Sequence, residues 1–212
     1  MRKKFVAYLH TEMPVRHPVL DVLGKWVYLP NPRVASMSIL LGPLHERCIV
    51  YRRGKRNWHR VWKQVILPRI DDLQIFTFVR NPWGKVCSAF YKCRDYMSDI
   101  SVHHRIDKQW SFKRWIKGVL AKEGIDNIHF CSQYDLVCCE GELIPNIFIG
   151  RFENIDEDWA TLASKTGLMP TLTKGNSSHH SNYVEHYDKE TRDIVADIYA
   201  PEIELFGYEF GK

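Results

Sequence analysis

The segment from Phe76 to Phe90 constrains the fold of this chain more than any other. It reads FTFVRNPWGKVCSAF, in which an apolar run typical of a β-strand ends at Arg80, turns through Asn81 and Pro82, and restarts with helical spacing. Proline is favoured in the first turn of a helix, because its missing N–H has no intrahelical partner there. The pattern therefore predicts a strand, a turn and the start of a helix.

This junction has the composition of an anion-binding site. Free backbone N–H groups and the positive end of the helix dipole meet at a helix N-terminus. Arg80 adds a permanent, two-pronged positive charge, and Ser88, expected about one turn into the helix, adds a hydroxyl. The segment predicts a phosphate site built on Arg80 and Ser88, although an ordinary strand-to-helix turn with a surface arginine has the same pattern.

A second fragment upstream has the same organisation. Residues 26–30 (WVYLP) predict a short strand, and residues 31–40 (NPRVASMSIL) follow as a turn with an arginine, small residues and an apolar restart. In open α/β sheets ligands bind beyond the carboxyl ends of the strands, so two such ends predict a grip on one multiply phosphorylated nucleotide. The Walker pattern GxxxxGK[ST] is absent, which argues against an ATP or GTP enzyme.

Five segments resemble, in their order along the chain, those of sulfotransferases that use 3′-phosphoadenosine 5′-phosphosulfate (PAPS). The resemblance is to the carbohydrate sulfotransferase branch, also described as sulfotransferase family 2-like. Pro32–Ile39 resembles their 5′-phosphosulfate loop, and Arg80–Phe90 resembles their 3′-phosphate segment. The third segment is Asp126–Gln133, which contains His-Phe-x-x-Gln. The fourth is Ile149–Ile155, which contains Gly-Arg-Phe-Glu-Asn, and the fifth is Tyr199–Phe210. The resemblance covers the chain from about residue 26 to its C-terminus.

The resemblance implies an α/β fold with a mainly parallel sheet flanked by helices, the P-loop-NTPase-like sulfotransferase fold. Predicted strands that alternate with helices independently favour an α/β sheet. The resemblance also implies PAPS as the sulfate donor, no metal, and an acceptor with a hydroxyl group, either a carbohydrate or a small alcohol. The nucleotide-binding residues that it implies are Arg33, Val34, Ala35, Ser36, Met37, Ser38, Arg80 and Ser88, with Lys174, Asn176 and Ser177 in a loop that closes over the nucleotide.

Two positions depart from the family pattern. The phosphosulfate loop of the family usually has lysine where this chain has Arg33, and a hydroxyl residue where it has Met37. Arginine keeps the charge but cannot give up a proton as lysine can, and methionine removes a donor. A noncatalytic relative that binds a nucleotide or a glycan is therefore the alternative to an active enzyme.

Catalysis would need a charge at the reacting group and a general base. Arg33 is the predicted catalytic charge. Histidine is the residue type best suited to a base near neutral pH. His59 is the first candidate, because relatives that sulfate polysaccharides place a histidine between the two nucleotide motifs, and His45 is the second.

The stretch from Arg47 to Arg60 is strongly basic, and the chain carries a net charge of +5. A solvated loop would explain this stretch, whereas a functional interpretation is contact with an acidic acceptor such as a charged sugar polymer. A basic nucleic-acid-binding domain is a further alternative, but no known nucleic-acid-binding module supports it, so nucleic acid is not the expected partner.

Length and composition predict one domain. At 212 residues with 45% hydrophobic side chains, residues 1–212 suit a single sulfotransferase-sized domain, in which residues 1–25 form an N-terminal segment without an assignable role. No run of about 18 apolar residues occurs, so no membrane segment is predicted. The six cysteines form no CxxC pair, which predicts reduced thiols and a cytoplasmic protein, without a metal site.

Further elements follow from spacing. Residues 110–120 have Phe112, Trp115, Ile116 and Val119 on one helical stripe, which predicts an amphipathic helix. Residues 147–149 predict a strand. Residues 156–165 predict a helix that ends at Gly167.

Overall fold

The computed structural model describes residues 19–21, 24–44, 48–50, 67–95, 109–123, 130–139, 141–172 and 182–212. In this part of the chain the strands are β1 Val19–Asp21, β2 Trp26–Tyr28, β3 Cys48–Val50, β4 Gln74–Val79, β5 Cys138–Cys139, β6 Glu142–Leu143 and β7 Phe148–Arg151. The α-helices are α1 Ser36–Leu41, α2 Pro82–Asp95, α3 Phe112–Trp115, α4 Ala121–Glu123, α5 Tyr134–Val137, α6 Ile155–Thr166, α7 Lys189–Ile198 and α8 Ala200–Phe206.

Several predicted residues lie outside the described part of the chain. They are His45, His59, Lys174, Asn176 and Ser177, together with the basic stretch except for the backbone of β3. Their proposed roles stay predictions.

The chain divides into two compact units. One comprises Met1–Val79 and Gln133–Asn176, and the other comprises Arg80–Ser132 and Ser177–Lys212. The prediction of a single domain over residues 1–212 stays a prediction, and the two units are described in turn.

The first unit contains a five-stranded sheet in the order β3-β1-β2-β4-β7. β4 pairs in parallel with β2 on one side and with β7 on the other, which confirms an α/β fold with a parallel sheet and flanking helices. β1 pairs antiparallel with β2 and with β3, and the sequence did not predict these two antiparallel strands. β1 lies within residues 1–25, so part of that segment belongs to the sheet.

The core of the first unit forms around β4. Its residues from Ile75 to Val79 are all buried, as is usual for a parallel strand that is covered on both faces. The ring of Phe76 stacks on Tyr28 with centroids 5.0 Å apart and contacts Trp159 of α6 edge-on at 6.3 Å. α6 ends at Gly167, whose φ of 69° confirms the predicted glycine cap.

The second unit is built on α2, α3 and α7. Phe90 of α2 packs against Phe112 and Trp115 of α3, with ring centroids 5.3 and 5.5 Å apart. The predicted helical stripe is confirmed, because Phe112, Trp115 and Ile116 are buried. The helix changes at Ile116–Leu120 to a π-helical turn, which its apolar spacing did not indicate.

Candidate functional site

The loop between β2 and α1 is strained at two positions. Arg33 has a φ of 67° and Ala35 a φ of 50°, so both lie in the left-handed region. A non-glycine residue held there costs about 1–3 kcal/mol, and such strain tends to occur at functional sites. Val34 between them is fully buried, which anchors the loop. Main-chain N–H groups of such a turn can form a concavity that binds anions.

Hydrogen bonds fix this loop from within. The hydroxyl of Tyr28 donates to Oγ of Ser36 at 3.3 Å, and the Ser36 hydroxyl donates to the main-chain oxygen of Asn31. Burial raises the pKa of Tyr28, opposed by the hydrogen bond to Ser36, so its hydroxyl stays a donor. Since Ser36 uses its one hydroxyl proton on the loop, it can offer a bound anion only its main-chain N–H.

The start of α1 completes this segment. The N–H of Ile39 donates to the carbonyl of Ala35 at 3.1 Å, which makes Ala35 the N-cap. The first N–H groups of a helix have no partner within the helix. Met37 is 63% exposed, and it can present only a thioether and its main-chain N–H where the family usually has a hydroxyl.

Asn31 begins this loop, and sequence reasoning assigned it no role. Its side chain is 1% exposed, and Nδ2 donates to the carbonyl oxygen of Phe78 at 2.9 Å and to Oε1 of Gln133 at 2.8 Å. The amide thus links the ends of β2 and β4 to the start of α5. The register that brings these three residues together is not visible in any local sequence pattern.

In the second unit, Asn81 caps the helix that follows β4. Its Oδ1 accepts a hydrogen bond from the N–H of Trp83 at 3.2 Å, and Pro82 is the first helical residue, as predicted. Nδ2 of Asn81 donates to the carbonyl oxygens of Glu209 and Lys212 at 2.9 and 3.1 Å. The C-terminal segment of the unit is therefore fastened to the start of α2.

Arg80 lies along the first turn of α2. A Cβ atom added to Gly84 would stand 3.4 Å from Nε of Arg80 and 3.5 Å from Cδ1 of Tyr183. Burial raises the pKa of the Cys87 thiol to about 12, and the positive charge of Arg80 opposes that rise. Both observations place the guanidinium beside the N-terminal part of the helix.

Ser88 and Lys85 lie further along the same helix. Ser88 is six residues beyond Pro82, nearly two turns into α2 rather than the predicted one turn, and it is 2% exposed. Lys85 is fully buried, and its ammonium group donates to the carbonyl oxygen of Cys131. Lys85 had no predicted role, although a lysine among the apolar positions of a helix indicates a buried charge with a specific partner.

The predicted site residues that the structure describes therefore fall into two groups. Those of the 5′-phosphosulfate loop, Arg33 to Ser38, belong to the first unit, and Arg80 and Ser88 belong to the second, both near the start of α2. Among the described residues, no group of three or more His, Cys, Asp or Glu side chains is placed to hold a metal ion.

Comparison with known proteins decides the family. The model of the sulfotransferase family matches residues 44–209. The chain belongs to this family. The resemblance seen in the sequence is thereby confirmed for the matched range, which contains Arg80 and Ser88 and begins after the loop with Arg33.

Two individual relatives are also similar. An uncharacterized protein of Archaeoglobus fulgidus is 30% identical over 116 residues, which are 53% of this chain and 84% of that protein. A sulfotransferase from Alicyclobacillus acidocaldarius, with a known crystal structure, has a TM-score of 0.38 and 13% identity, and the match covers 86% of this chain and 87% of that chain.

No helix in the described segments is both long enough and apolar enough to cross a membrane.

Proposed function

We propose that this sulfotransferase transfers the sulfuryl group of PAPS to a hydroxyl of an acceptor, either a carbohydrate or a small alcohol. The observation that carries the proposal is the start of α2. Arg80 lies along the first turn of a 14-residue helix whose N-terminus is capped by Asn81. A guanidinium beside the positive end of a helix dipole is suited to a dianionic phosphate, which supports the assignment of Arg80 and Ser88 to the 3′-phosphate.

The loop of the first unit is the proposed site for the 5′-phosphosulfate. Arg33 supplies charge, and Ala35 to Ser38 supply main-chain N–H groups in a strained turn. The N–H of Val34, which the resemblance also assigned to the nucleotide, donates to the carbonyl oxygen of Asn31 at 3.3 Å and holds the turn instead. Lys174, Asn176 and Ser177 remain the proposed lid. A lid would keep water from competing with the acceptor for the sulfuryl group.

The proposed reaction forms a bond between the acceptor oxygen and sulfur and breaks the bond between sulfur and the 5′-phosphate oxygen. The electron pair of the broken bond stays on 3′-phosphoadenosine 5′-phosphate (PAP), and the acceptor proton passes to a base. We propose His59 as that base and His45 as the second candidate. A pH–rate profile of His59→Ala that coincides with that of the wild type would remove His59 from this role.

Arg33 is proposed to stabilise the charge that develops on the leaving phosphate. Removing one preorganised donor of this kind costs about 2.7–4 kcal/mol of transition-state stabilisation, or about 10²–10³ in kcat. We expect Arg33→Ala to lower transfer by this factor while PAP affinity changes much less, and Arg33→Lys to restore part of the rate. Radiolabelled PAPS with a panel of phenols, glycosides and polysaccharides measures transfer, and calorimetry with PAP measures binding. Unchanged turnover in Arg33→Ala would contradict the assignment.

A noncatalytic relative that binds a nucleotide or a glycan is the second candidate, and Met37 favours it because the usual hydroxyl is missing. PAP binding without transfer to any acceptor in the panel would support this alternative. The nucleic-acid hypothesis depends on the stretch from Arg47 to Arg60 alone. Salt-dependent binding of generic DNA or RNA in the absence of PAP binding would favour it.

We also propose a reducing compartment, the cytoplasm. Cys87, Cys131 and Cys138 are buried, and among the described residues they form no disulfide bond. Cysteines that stay in the thiol state are usual where disulfides do not persist. Fractionation of the native host would locate the protein directly, and recovery from an oxidising compartment would contradict the proposal.

A further inference from the structure

The buried amide of Asn31 has one hydrogen-bonding group that the fold does not use. Both protons of Nδ2 are donated, one to the Phe78 carbonyl and one to Gln133. Oδ1 is buried and has no hydrogen-bond partner among the described residues. Buried acceptors without a donor are costly and uncommon in folded proteins, so this oxygen points to a ligand or a bound water.

The orientation of this amide is fixed by its surroundings. The carbonyl oxygen of Phe78 can only accept a hydrogen bond, so a flipped amide would place two oxygens against each other. Oδ1 therefore points away from Phe78. The nearby Ser36 hydroxyl is not its partner, because its proton is already donated to the main-chain oxygen of Asn31.

The chemistry of Oδ1 selects the kind of group that it can bind. Asn31 opens the loop that contains Arg33, the proposed site of the phosphosulfate. The oxygens of a phosphosulfate only accept hydrogen bonds and would be repelled by an amide oxygen, whereas an O–H group would be bound by it. A buried oxygen at the start of this loop that can only accept a hydrogen bond suits the nucleophile and not the donor nucleotide.

We propose that Oδ1 of Asn31 binds the hydroxyl of the sulfuryl acceptor and turns an oxygen lone pair toward sulfur. The inference rests on the proposed function and adds an acceptor-binding residue to it. An amide oxygen is too weak a base to take the proton, which passes to the separate base. When no acceptor is present, a water molecule fills the same place and accounts for any slow release of sulfate from PAPS.

The first test compares Asn31→Ala with Thr77→Val. Thr77 is a matched control, because it is also fully buried, it lies on β4, and its hydroxyl donates to the carbonyl of Leu29 at 2.7 Å. The readouts are the Kd of PAP by calorimetry and the consumption of radiolabelled PAPS, with water and then with the best acceptor of the panel. We expect Asn31→Ala to lower sulfate release and the kcat/KM of the acceptor by about tenfold or more, as for a lost hydrogen bond to the reacting group.

The Kd of PAP should change by less than about twofold in Asn31→Ala, since the nucleotide does not contact Oδ1. Thr77→Val should lower the melting temperature but leave both turnover and the Kd of PAP near their wild-type values. This pairing separates a lost contact with the nucleophile from a general loss of packing in the sheet.

A second variant, Asn31→Asp, supplies a pH readout. Burial raises the pKa of a carboxyl group, and the charge of Arg33 in the same loop opposes that rise. Below that pKa the protonated group donates its one proton to the Phe78 carbonyl and accepts through its other oxygen, so of the contacts of the amide only the donation to Gln133 is lost. Above it, the carboxylate repels that carbonyl. We expect the activity of this variant relative to wild type to rise as the pH falls.

Three results would overturn the inference while the proposed nucleotide site stands. The first is a rise in the Kd of PAP in Asn31→Ala that is as large as the fall in turnover. The second is a loss of turnover in Asn31→Ala no greater than that in Thr77→Val. The third is a wild-type protein that binds PAP but neither transfers nor releases sulfate. A wild-type protein that does not bind PAP would instead remove the proposed function, and this inference with it.

Discussion

Gly84 is the residue on which the position of Arg80 depends. Alanine in a helix interior is normally more stable than glycine by about 1 kcal/mol. At Gly84, however, a Cβ would stand 3.4 Å from Nε of Arg80, at the near limit of van der Waals contact, and would crowd the guanidinium. We expect Gly84→Ala to keep or raise the melting temperature while the Kd of PAP rises several-fold by calorimetry.

Gly118 provides the control for this prediction. It also lies in a helical segment of the second unit, and among the described residues a Cβ there would meet only Trp110, at 3.8 Å. Gly118→Ala should leave the Kd of PAP unchanged. Wild-type affinity in Gly84→Ala would show that Arg80 is not held for the phosphate.

Single residues differ in how far the sequence could place them. Arg33 and Arg80 were predicted because charge and position in a motif are visible locally. The left-handed backbone of Ala35 was not, since alanine rarely adopts that conformation and the cost is met by the surrounding fold. Asn31 was missed because its partners, Phe78 and Gln133, are 47 and 102 residues away in sequence.

Strands β4 and β7 pack closely where Gly150 of β7, which has no side chain, leaves room for the ring of Phe78. Phe78 lies opposite Gly150, and a Cβ on Gly150 would overlap Cε1 of the Phe78 ring. We expect Gly150→Ala to lower the free energy of unfolding by about 1–3 kcal/mol, as overpacking of a core does. Denaturant unfolding measures this loss.

The double variant Phe78→Leu with Gly150→Ala tests the cause. A smaller side chain leaves room for the new methyl group, so the double variant should lose less stability than the sum of the two single variants. Additive losses would contradict a direct clash between these two positions.

Secondary structure was predictable where several local signals agreed. The strand, proline turn and helix from β4 into α2, and the glycine cap of α6, each combine periodicity with a boundary residue. The π-helical turn at Ile116–Leu120 was not predictable, because its apolar positions also fit an α-helix. β1 and β3 have three residues each and, unlike the equally short β2, no turn residues directly after them, so nothing local marked them as strands.

At the scale of the whole molecule, ligand binding should appear as stability. A ligand that binds only the folded state at 100 times its Kd stabilises that state by about 2.7 kcal/mol. We expect PAP to raise the melting temperature more than 5′-AMP does at equal concentration, because AMP lacks the 3′-phosphate proposed for Arg80. Thermal scans of wild type and Arg80→Ala measure this difference.

Arg80→Ala should bring the shifts caused by PAP and AMP close to each other, and raising the salt concentration should reduce the wild-type difference. Equal shifts for both nucleotides in the wild type would mean that the 3′-phosphate is not recognised. The net charge of +5 suits an anionic ligand but does not distinguish one anion from another.

The two left-handed residues of the loop, Arg33 and Ala35, bear on the thermodynamics of recognition. A loop already confined by folding, with Val34 buried and Ser36 hydrogen-bonded on its inner side, has little freedom left to lose when an anion arrives. Binding at this loop should therefore carry a small entropic penalty and little structural adjustment, in the manner of a rigid receptor. Glycines in place of the two left-handed residues would make the turn more flexible, so the same main-chain contacts would bind an anion more weakly.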